Sequence, residues 1–341
     1  MPRRRTRTAA PAATIAIDLA LQGGGSHGAF TWGVLDRLLD DESLSFDGIS
    51  GTSAGALNAA VLATGLAEGG RAGAKAALEA FWMDVAGQGA CFGVPQPAAW
   101  NPAFLWWQQW LNLFSPYQFN PLGIDPLRTV VERHVRPAAL RRGPVQLFIT
   151  ATSVHSGQPR VFDCSDLSID ALLASACLPH LFRAVQIDGE PYWDGGYTGN
   201  PALWPLIYHT AALDLLLVQI NPLGRTGTPA TRMEIDDRLS EITFNAALVG
   251  ELRAIAFVQK LVAEKRVDPG AYKNLRLHRV HEPALAALGA SSKLDTGRAF
   301  LRELHALGHA AASRWWQAHR GALGRRGTLD ARASFLERSA P

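Results

Sequence analysis

Short apolar runs bounded by glycine alternate along this chain with longer stretches whose apolar residues recur every three to four positions. The run TIAIDLAL at 14–21 ends on a triple glycine and suits a buried strand of a parallel sheet. AFTWGVLDRLL at 29–39 follows with helical spacing. The stretch 46–66, FDGISGTSAGALNAAVLATGL, then reads as a short strand, a tight glycine turn and an Ala-rich helix. Strand, glycine loop and helix thus occur twice in succession, which predicts an α/β sheet with mostly parallel strands. VQLFITATSV at 145–154 and AALDLLLVQI at 211–220 read as two further central strands, and ALLASACLPHLF at 171–182 as a helix between them. Over 239–262, Leu239, Ile242, Ala246, Val249, Leu252, Ala256 and Leu261 recur at helical spacing and predict a helix that covers the sheet. The stretch 295–317 reads the same way. No internal repeat is visible.

Residues 1–13 lack periodicity and read as a disordered arm, and the chain from Gly321 onward as a loose tail. Between them the pattern divides into an α/β domain at 14–220, carrying an aromatic-rich insertion at 87–122, and a helical extension at 221–320. With 341 residues and 48% hydrophobic side chains, there is ample material for a core. The 33 Lys and Arg against 30 Asp and Glu leave a charge of +3, too balanced for nucleic acid as the principal partner. Cys91, Cys164 and Cys177 form no CxxC pair and no closed disulfide framework, which suits a reducing, cytoplasmic setting. The basic start ahead of an apolar stretch resembles a signal peptide, but Asp18 interrupts the stretch and the same residues are needed as a strand. No segment has the roughly 20 apolar residues of a membrane-spanning helix. The expectation is a cytoplasmic protein, peripheral at a membrane at most.

The chemistry concentrates in three glycine-containing motifs. GTSAG at 51–55 fits the nucleophile elbow G-x-S-x-G, in which a strand turns sharply into a helix and presents the serine hydroxyl. Gly51 and Gly55 keep the crowded turn free of side chains, and Ser53 sits at a helix N-terminus, where developing negative charge is favoured. GGGSHG at 23–28 also fits a dinucleotide fingerprint, with Asp41, Glu42 or Asp47 as the acidic partner. The serine elbow, however, occupies the place where the second strand of such a unit should end. The backbone N–H groups of Gly24 and Gly25 are better read as an oxyanion hole, with Gly23 and Gly28 framing the turn. In EPYWDGG, Asp194 precedes Gly195 and Gly196, so a carboxylate stands at a loop tip that another backbone can approach. A Ser, Asp, His triad with His209, His278, His281, His305 or His309 as base is the rival enzyme reading. No sequence feature selects any of these histidines.

GGGSHG, GTSAG and DGG, in this order, resemble the oxyanion loop, nucleophile motif and aspartate motif of patatin-like phospholipases. The resemblance covers about 14–220, including ASACLPHLF ahead of the aspartate. It implies a three-layer α/β sandwich with a mostly parallel central sheet and extra helices at the C-terminal end. It implies acyl-ester hydrolysis on lipids by a Ser53 nucleophile, Asp194 as base without a histidine, and Gly24 and Gly25 as oxyanion donors. Neither cofactor nor metal is called for. A lipid acyltransferase using the same two residues, and a non-catalytic lipid-binding protein, are the alternatives. His27 departs from the family, which more often has Arg or Lys at that position, and a neutral imidazole would supply no fixed charge there.

No charged residue stands between Asp84 and Asp125, and Trp106, Trp107, Trp110 and Phe114 lie within that stretch. A helix over 101–115 would be apolar on most sides, too apolar to face water bare. Its functional reading is a lid or a wedge in the lipid interface, where Trp is favoured. A helix packed into the core is the alternative. The expected partner is a lipid or acyl ester, with peripheral membrane contact and no nucleic acid.

Overall fold

The structure is a computed structural model and describes residues 14–88 and 114–336. The expected insertion helix, with Trp106, Trp107 and Trp110, lies outside the described residues. Strand β1 (Ile15–Leu21) leads through the glycine loop into α1 (Gly28–Leu38), and β2 (Leu44–Thr52) leads through Ser53 into α2 (Ala54–Gln88), which is broken at Gly69 and Gly70. After α3 (Pro126–His134) come β3 (Gln146–Ser153), β4 (Pro159–Asp163) and α4 (Ile169–Ser175). The hairpin β5 (Val185–Ile187) and β6 (Glu190–Asp194) precedes α5 (Trp204–His209) and β7 (Asp214–Val218). The long α6 (Arg232–Ala263), β8 (Arg276–Val280) and α7 (Arg298–His319) complete the described elements used below.

The sheet runs β5-β6-β3-β2-β1-β7-β8, with β4 added along β3. The five strands β3, β2, β1, β7 and β8 are mutually parallel, β4 and β6 each pair antiparallel with β3, and β5 pairs antiparallel with β6. The central strands are apolar on both faces, as parallel strands buried between helices must be. Their side chains alternate between two cores. Ile17, Leu19, Leu21, Leu216 and Val218 face the larger core with residues of α1, α2, α4 and α7. Ala20, Leu215 and Leu217 face the smaller one, closed by Leu206 of α5 and by Leu248, Leu252 and Ile255 of α6. The result is the expected three-layer arrangement.

Three local expectations are corrected. The helix read over 171–182 ends at Ser175, and hydrogen-bonded turns carry the chain on to Phe182. The helix over 239–262 does cover the sheet, but turned: Leu239 and Ile242 are exposed, whereas Glu241, Phe244, Asn245, Leu248, Leu252 and Ile255 face inward. The inward face carries two polar side chains with buried partners, so apolar periodicity alone misplaced it. The stretch from Gly321 is not loose through Leu336. The Thr328 and Leu329 N–H groups donate to the Leu277 carbonyl of β8 at 2.8 and 2.9 Å, and Leu323 and Ala331 are buried. Among the described residues, no helix is long and apolar enough to cross a membrane.

Candidate active site

The parallel strands end together, and the loops that follow β1 and β2 meet there. Ser53 sits where β2 becomes α2, with φ of 54°, a left-handed conformation that costs a non-glycine residue roughly 1–2 kcal/mol. Its backbone N–H donates to Ser175 Oγ at 2.9 Å, and its carbonyl accepts the Leu57 N–H at 3.0 Å, which anchors the turn at both ends. The glycine loop lies directly against it. A Cβ on Gly23 would come within 2.7 Å of both Ser53 Cβ and the Thr52 carbonyl oxygen, so only glycine permits this approach.

Asp194 reaches the same place by strand register. Thr150 pairs with Thr52 of β2 and with Val161 of β4, so those two strands lie on opposite edges of β3. Thr152 pairs with Pro159 of β4 and with Trp193 of β6, so β6 shares the edge used by β2. Ala151 is the partner of Asp194. Along that edge the aspartate therefore comes one step beyond Thr52, where the chain of β2 turns off through Ser53.

The Asp194 carboxylate is fully buried. Oδ1 accepts the Gly196 N–H at 2.7 Å. Oδ2 makes no hydrogen bond of full geometry, although the Ser53 hydroxyl is close enough to stabilise the charged form. Burial pushes the carboxyl up to about 7, against the stabilising effects of the Gly196 N–H, the Ser53 hydroxyl and the Lys293 charge. A carboxylate so placed is a stronger base than an exposed one and is poised near neutral pH.

A network of buried amides holds the glycine loop. The Gly23 N–H donates to Asn200 Oδ1 at 2.6 Å, and Asn221 Nδ2 donates to the Gly23 carbonyl at 2.7 Å. Gln22 Oε1 accepts the N–H groups of Ile220 and Asn221, at 3.0 and 2.9 Å, while its Nε2 donates to Asn245 Oδ1 of α6 at 3.2 Å. With Gly23 so tied, the loop turns into a short 3-10 segment at Gly25–His27, and no acceptor among the described residues takes the Gly24 or Gly25 N–H. Two adjacent donors at a helix start are a site for an anion or an oxyanion.

His27 is buried, and burial with the nearby Lys293 and Arg225 charges pushes its imidazole down to about 3. Its Nε2 lies 2.7 Å from Ser292 Oγ, whose own hydroxyl donates to the Gly289 carbonyl at 2.6 Å, so the ring N–H is the donor. The imidazole is neutral and structural. Among the described residues no histidine hydrogen-bonds Ser53. Buried His278 instead joins Asp214 and Thr328, each at 2.9 Å, and His305 contacts Asp36. Asp47, one of the acidic residues considered for a dinucleotide fingerprint, accepts the Ala211 and Ala212 N–H groups. The Cys177 thiol donates to the Arg183 carbonyl, and burial pushes it up to about 12, which leaves it inert as a nucleophile. No cluster among the described residues could hold a metal ion.

Beside the aspartate lies a cavity of about 320 Å³, walled by Tyr117, Ile124, Leu173, Cys177 and Phe182 among others. Cys177 joins it to the site, because its carbonyl accepts the Asp194 N–H at 2.8 Å. Of its lining residues, Tyr117 and Ile124 are 52% and 63% exposed, and Leu122, next in the chain to the lining Gly123, is 83% exposed. Phe114 is exposed as well, and Arg183 stacks over the Tyr117 ring at 4.8 Å. Sequence reasoning missed Ser175, Asn200, Asn221, Ser292 and Lys293, all of which act through contacts with residues far off in the chain.

A mostly parallel sheet between helical layers, with a serine at a central strand-to-helix turn, defines an α/β fold of the hydrolase-like class. The model for the patatin-like phospholipase family matches residues 19–207, more than half of the 341-residue chain, and the chain belongs to that family of lipid hydrolases. Comparison with curated protein sequences gives no match. Among solved structures, VipD from Legionella pneumophila is similar at 14% identity and a TM-score of 0.37, over 86% of this chain and 67% of that one. The type III effector protein ExoU is similar at 15% identity and a TM-score of 0.33, over 90% of this chain and 54% of that one. A complex of ExoU with SpcU from Pseudomonas aeruginosa gives 15% identity and a TM-score of 0.31. The chain thus spans about half the length of ExoU and two thirds of VipD.

Proposed function

We propose that the protein cleaves carboxylic acyl esters of lipids through a covalent Ser53 intermediate. The observation that carries this reading is the register of β6, which sets the buried Asp194 carboxylate one step beyond Thr52 and hence beside the Ser53 turn. Ser53 Oγ bonds to the ester carbonyl carbon while its proton passes to Asp194 Oδ2. The carbonyl oxygen becomes an oxyanion held by the Gly24 and Gly25 N–H groups. Collapse breaks the carbon–oxygen bond to the alcohol, which takes the proton from Asp194 and departs. Water then gives a proton to Asp194 as its oxygen bonds to the acyl carbon. The second collapse returns that proton to Ser53 and releases the carboxylic acid. The α2 N-terminus behind Ser53 adds to the stabilisation of negative charge.

The cavity lined in part by Cys177 takes part of the lipid, and the exposed Tyr117 and Ile124 of its lining, with the neighbouring Leu122, meet the lipid surface. The uncharged stretch with Trp106, Trp107 and Trp110 supports the same contact from the sequence side. The test is capture by a fluorophosphonate probe, with mass spectrometry of products from a mixed lipid extract. Stoichiometric labelling at Ser53 with release of free fatty acid is expected, whereas an unlabelled, folded protein would overturn the reading.

A further inference from the structure

The search of the molecule leads to a segment far beyond the family match. Residues Ala290–Leu294 form a short 3-10 turn that packs on the glycine loop between β1 and α1. Three contacts join them. Ser292 Oγ accepts the His27 ring N–H at 2.7 Å. Lys293 Nζ donates to Asn221 Oδ1 at 2.8 Å, the same amide whose Nδ2 holds the Gly23 carbonyl. The Lys293 carbonyl lies against the α-carbon of Gly25, so closely that a Cβ there would overlap it. Gly25 has φ of 57° at this point, so the loop turns where the turn of 290–294 backs it.

The segment is itself anchored. Arg225 donates to both oxygens of Glu241, a buried carboxylate on α6, and to the carbonyls of Ala286 and Leu288 just ahead of the turn. Arg225 thus ties the approach to the 290–294 turn to α6, and the Lys293 ammonium is held by Asn221. Desolvation, with the nearby Arg225 charge, pulls it below the ordinary lysine range, while Glu241, Asp237 and Asp194 favour the charged form.

We infer that Lys293 is a positioning residue of the acyl-transfer site, holding the glycine loop in the oxyanion-binding conformation through Asn221 and setting a positive charge near Asp194. This rests on the hydrolase reading given above. It follows that the chain past residue 207, where the family match ends, is part of the working site. Lys293 touches neither Ser53 nor substrate in this role. It acts through Gly23, Gly25 and the field at Asp194.

The test compares the full-length protein with K293M, K293Q, K293R and S292A on a soluble short-chain ester across pH. The wild type comes first: absence of both hydrolysis and fluorophosphonate capture would sink the hydrolase reading itself. With an active wild type, K293M should lose roughly 10- to 100-fold in kcat with KM little changed, the scale expected when reacting groups are slightly misplaced. Its acid limb should move to higher pH by about half a unit or more, because a neighbouring positive charge no longer favours the Asp194 carboxylate. K293R should recover most of both losses, and S292A should lower kcat without moving the limb. If K293M does not fold, K293Q carries the test, since it retains a donor for Asn221 and loses only the charge, so its limb must move. A wild-type kcat and limb in K293M, or equal losses in K293M and K293R with one unmoved limb, would overturn the inference while leaving the hydrolase reading intact.

Discussion

Ser175 Oγ accepts the backbone N–H of Ser53 at 2.9 Å, which ties the end of α4 to the strand-to-helix turn that presents the Ser53 hydroxyl. That N–H is therefore spoken for, which is why the proposed mechanism gives the oxyanion to Gly24 and Gly25. Ser175→Ala should leave a buried N–H unpaired, at a cost of about 1–3 kcal/mol, and should relax the left-handed turn. The expected outcome is a lower melting temperature and a fluorophosphonate capture rate reduced about tenfold. Capture at the wild-type rate would show that the turn is held without Ser175.

In the proposed mechanism Ser53 and Asp194 act on one proton, so their losses should not add. Ser53→Ala and Asp194→Asn should each abolish hydrolysis with the fold intact, and the double variant should be no worse than either. The measurement is kcat/KM on a soluble ester with circular dichroism as the folding control. More than about a tenth of wild-type activity in Asp194→Asn would exclude it as the general base.

Much of this site is legible because its signals are local. A G-x-S-x-G turn, a glycine run after a strand and an Asp-Gly-Gly tip each carry their geometry within a few residues. The support is not local. Asn200 reaches Gly23 across 177 positions, and Lys293 reaches Asn221 across 72, contacts that no spacing rule finds. The same network hid the true face of α6, because Glu241 and Asn245 point inward to serve Arg225 and Gln22. β8 escaped notice for a similar reason. Its Arg276 and His278 are polar yet lie in the sheet because Asp214 of β7 receives both.

Gly25→Ala tests the proposed oxyanion donors. The added methyl would meet the Lys293 carbonyl, and the backbone at φ of 57° disfavours any side chain, so the loop must shift. Losing one donor typically costs on the order of 100- to 1000-fold in rate. The fall should appear in kcat on a short-chain ester, with KM nearly unchanged. A rise in KM alone would assign Gly25 to substrate binding instead.

The exposed side chains at and beside the cavity predict a split between substrates. Leu122→Asp combined with Ile124→Asp should lower hydrolysis of vesicle lipid by about tenfold or more, given roughly 1.5–3 kcal/mol for each large apolar side chain withdrawn from lipid. Hydrolysis of a soluble short-chain ester should hold, because Ser53, Asp194 and the glycine loop come from other segments. Replacing Trp106, Trp107 and Trp110 together by Ala should give the same split. Equal loss on both substrates with a lowered melting temperature in that triple variant would assign the three tryptophans to the core.

Asp194 should link activity and stability to pH in opposite directions. Its carboxyl is held at about 7 in the folded protein, far above the ordinary 3.8. As the proposed base it would work only when ionised, so kcat/KM should rise with pH through an acid limb near 7. Stability has the other sign. Between those two values the folded protein keeps a proton that the unfolded chain has released, so unfolding becomes easier as pH rises across that window and levels off above it. Asp194→Asn removes the ionisation while its amide oxygen can still accept the Gly196 N–H. The variant should therefore be inactive yet more stable than wild type at pH 8, with the gap closing toward pH 4. Thermal unfolding of both proteins across that range measures it. A variant less stable than wild type at pH 8 would mean that the buried carboxylate is better compensated than its surroundings indicate, and that its basicity at neutral pH has another origin.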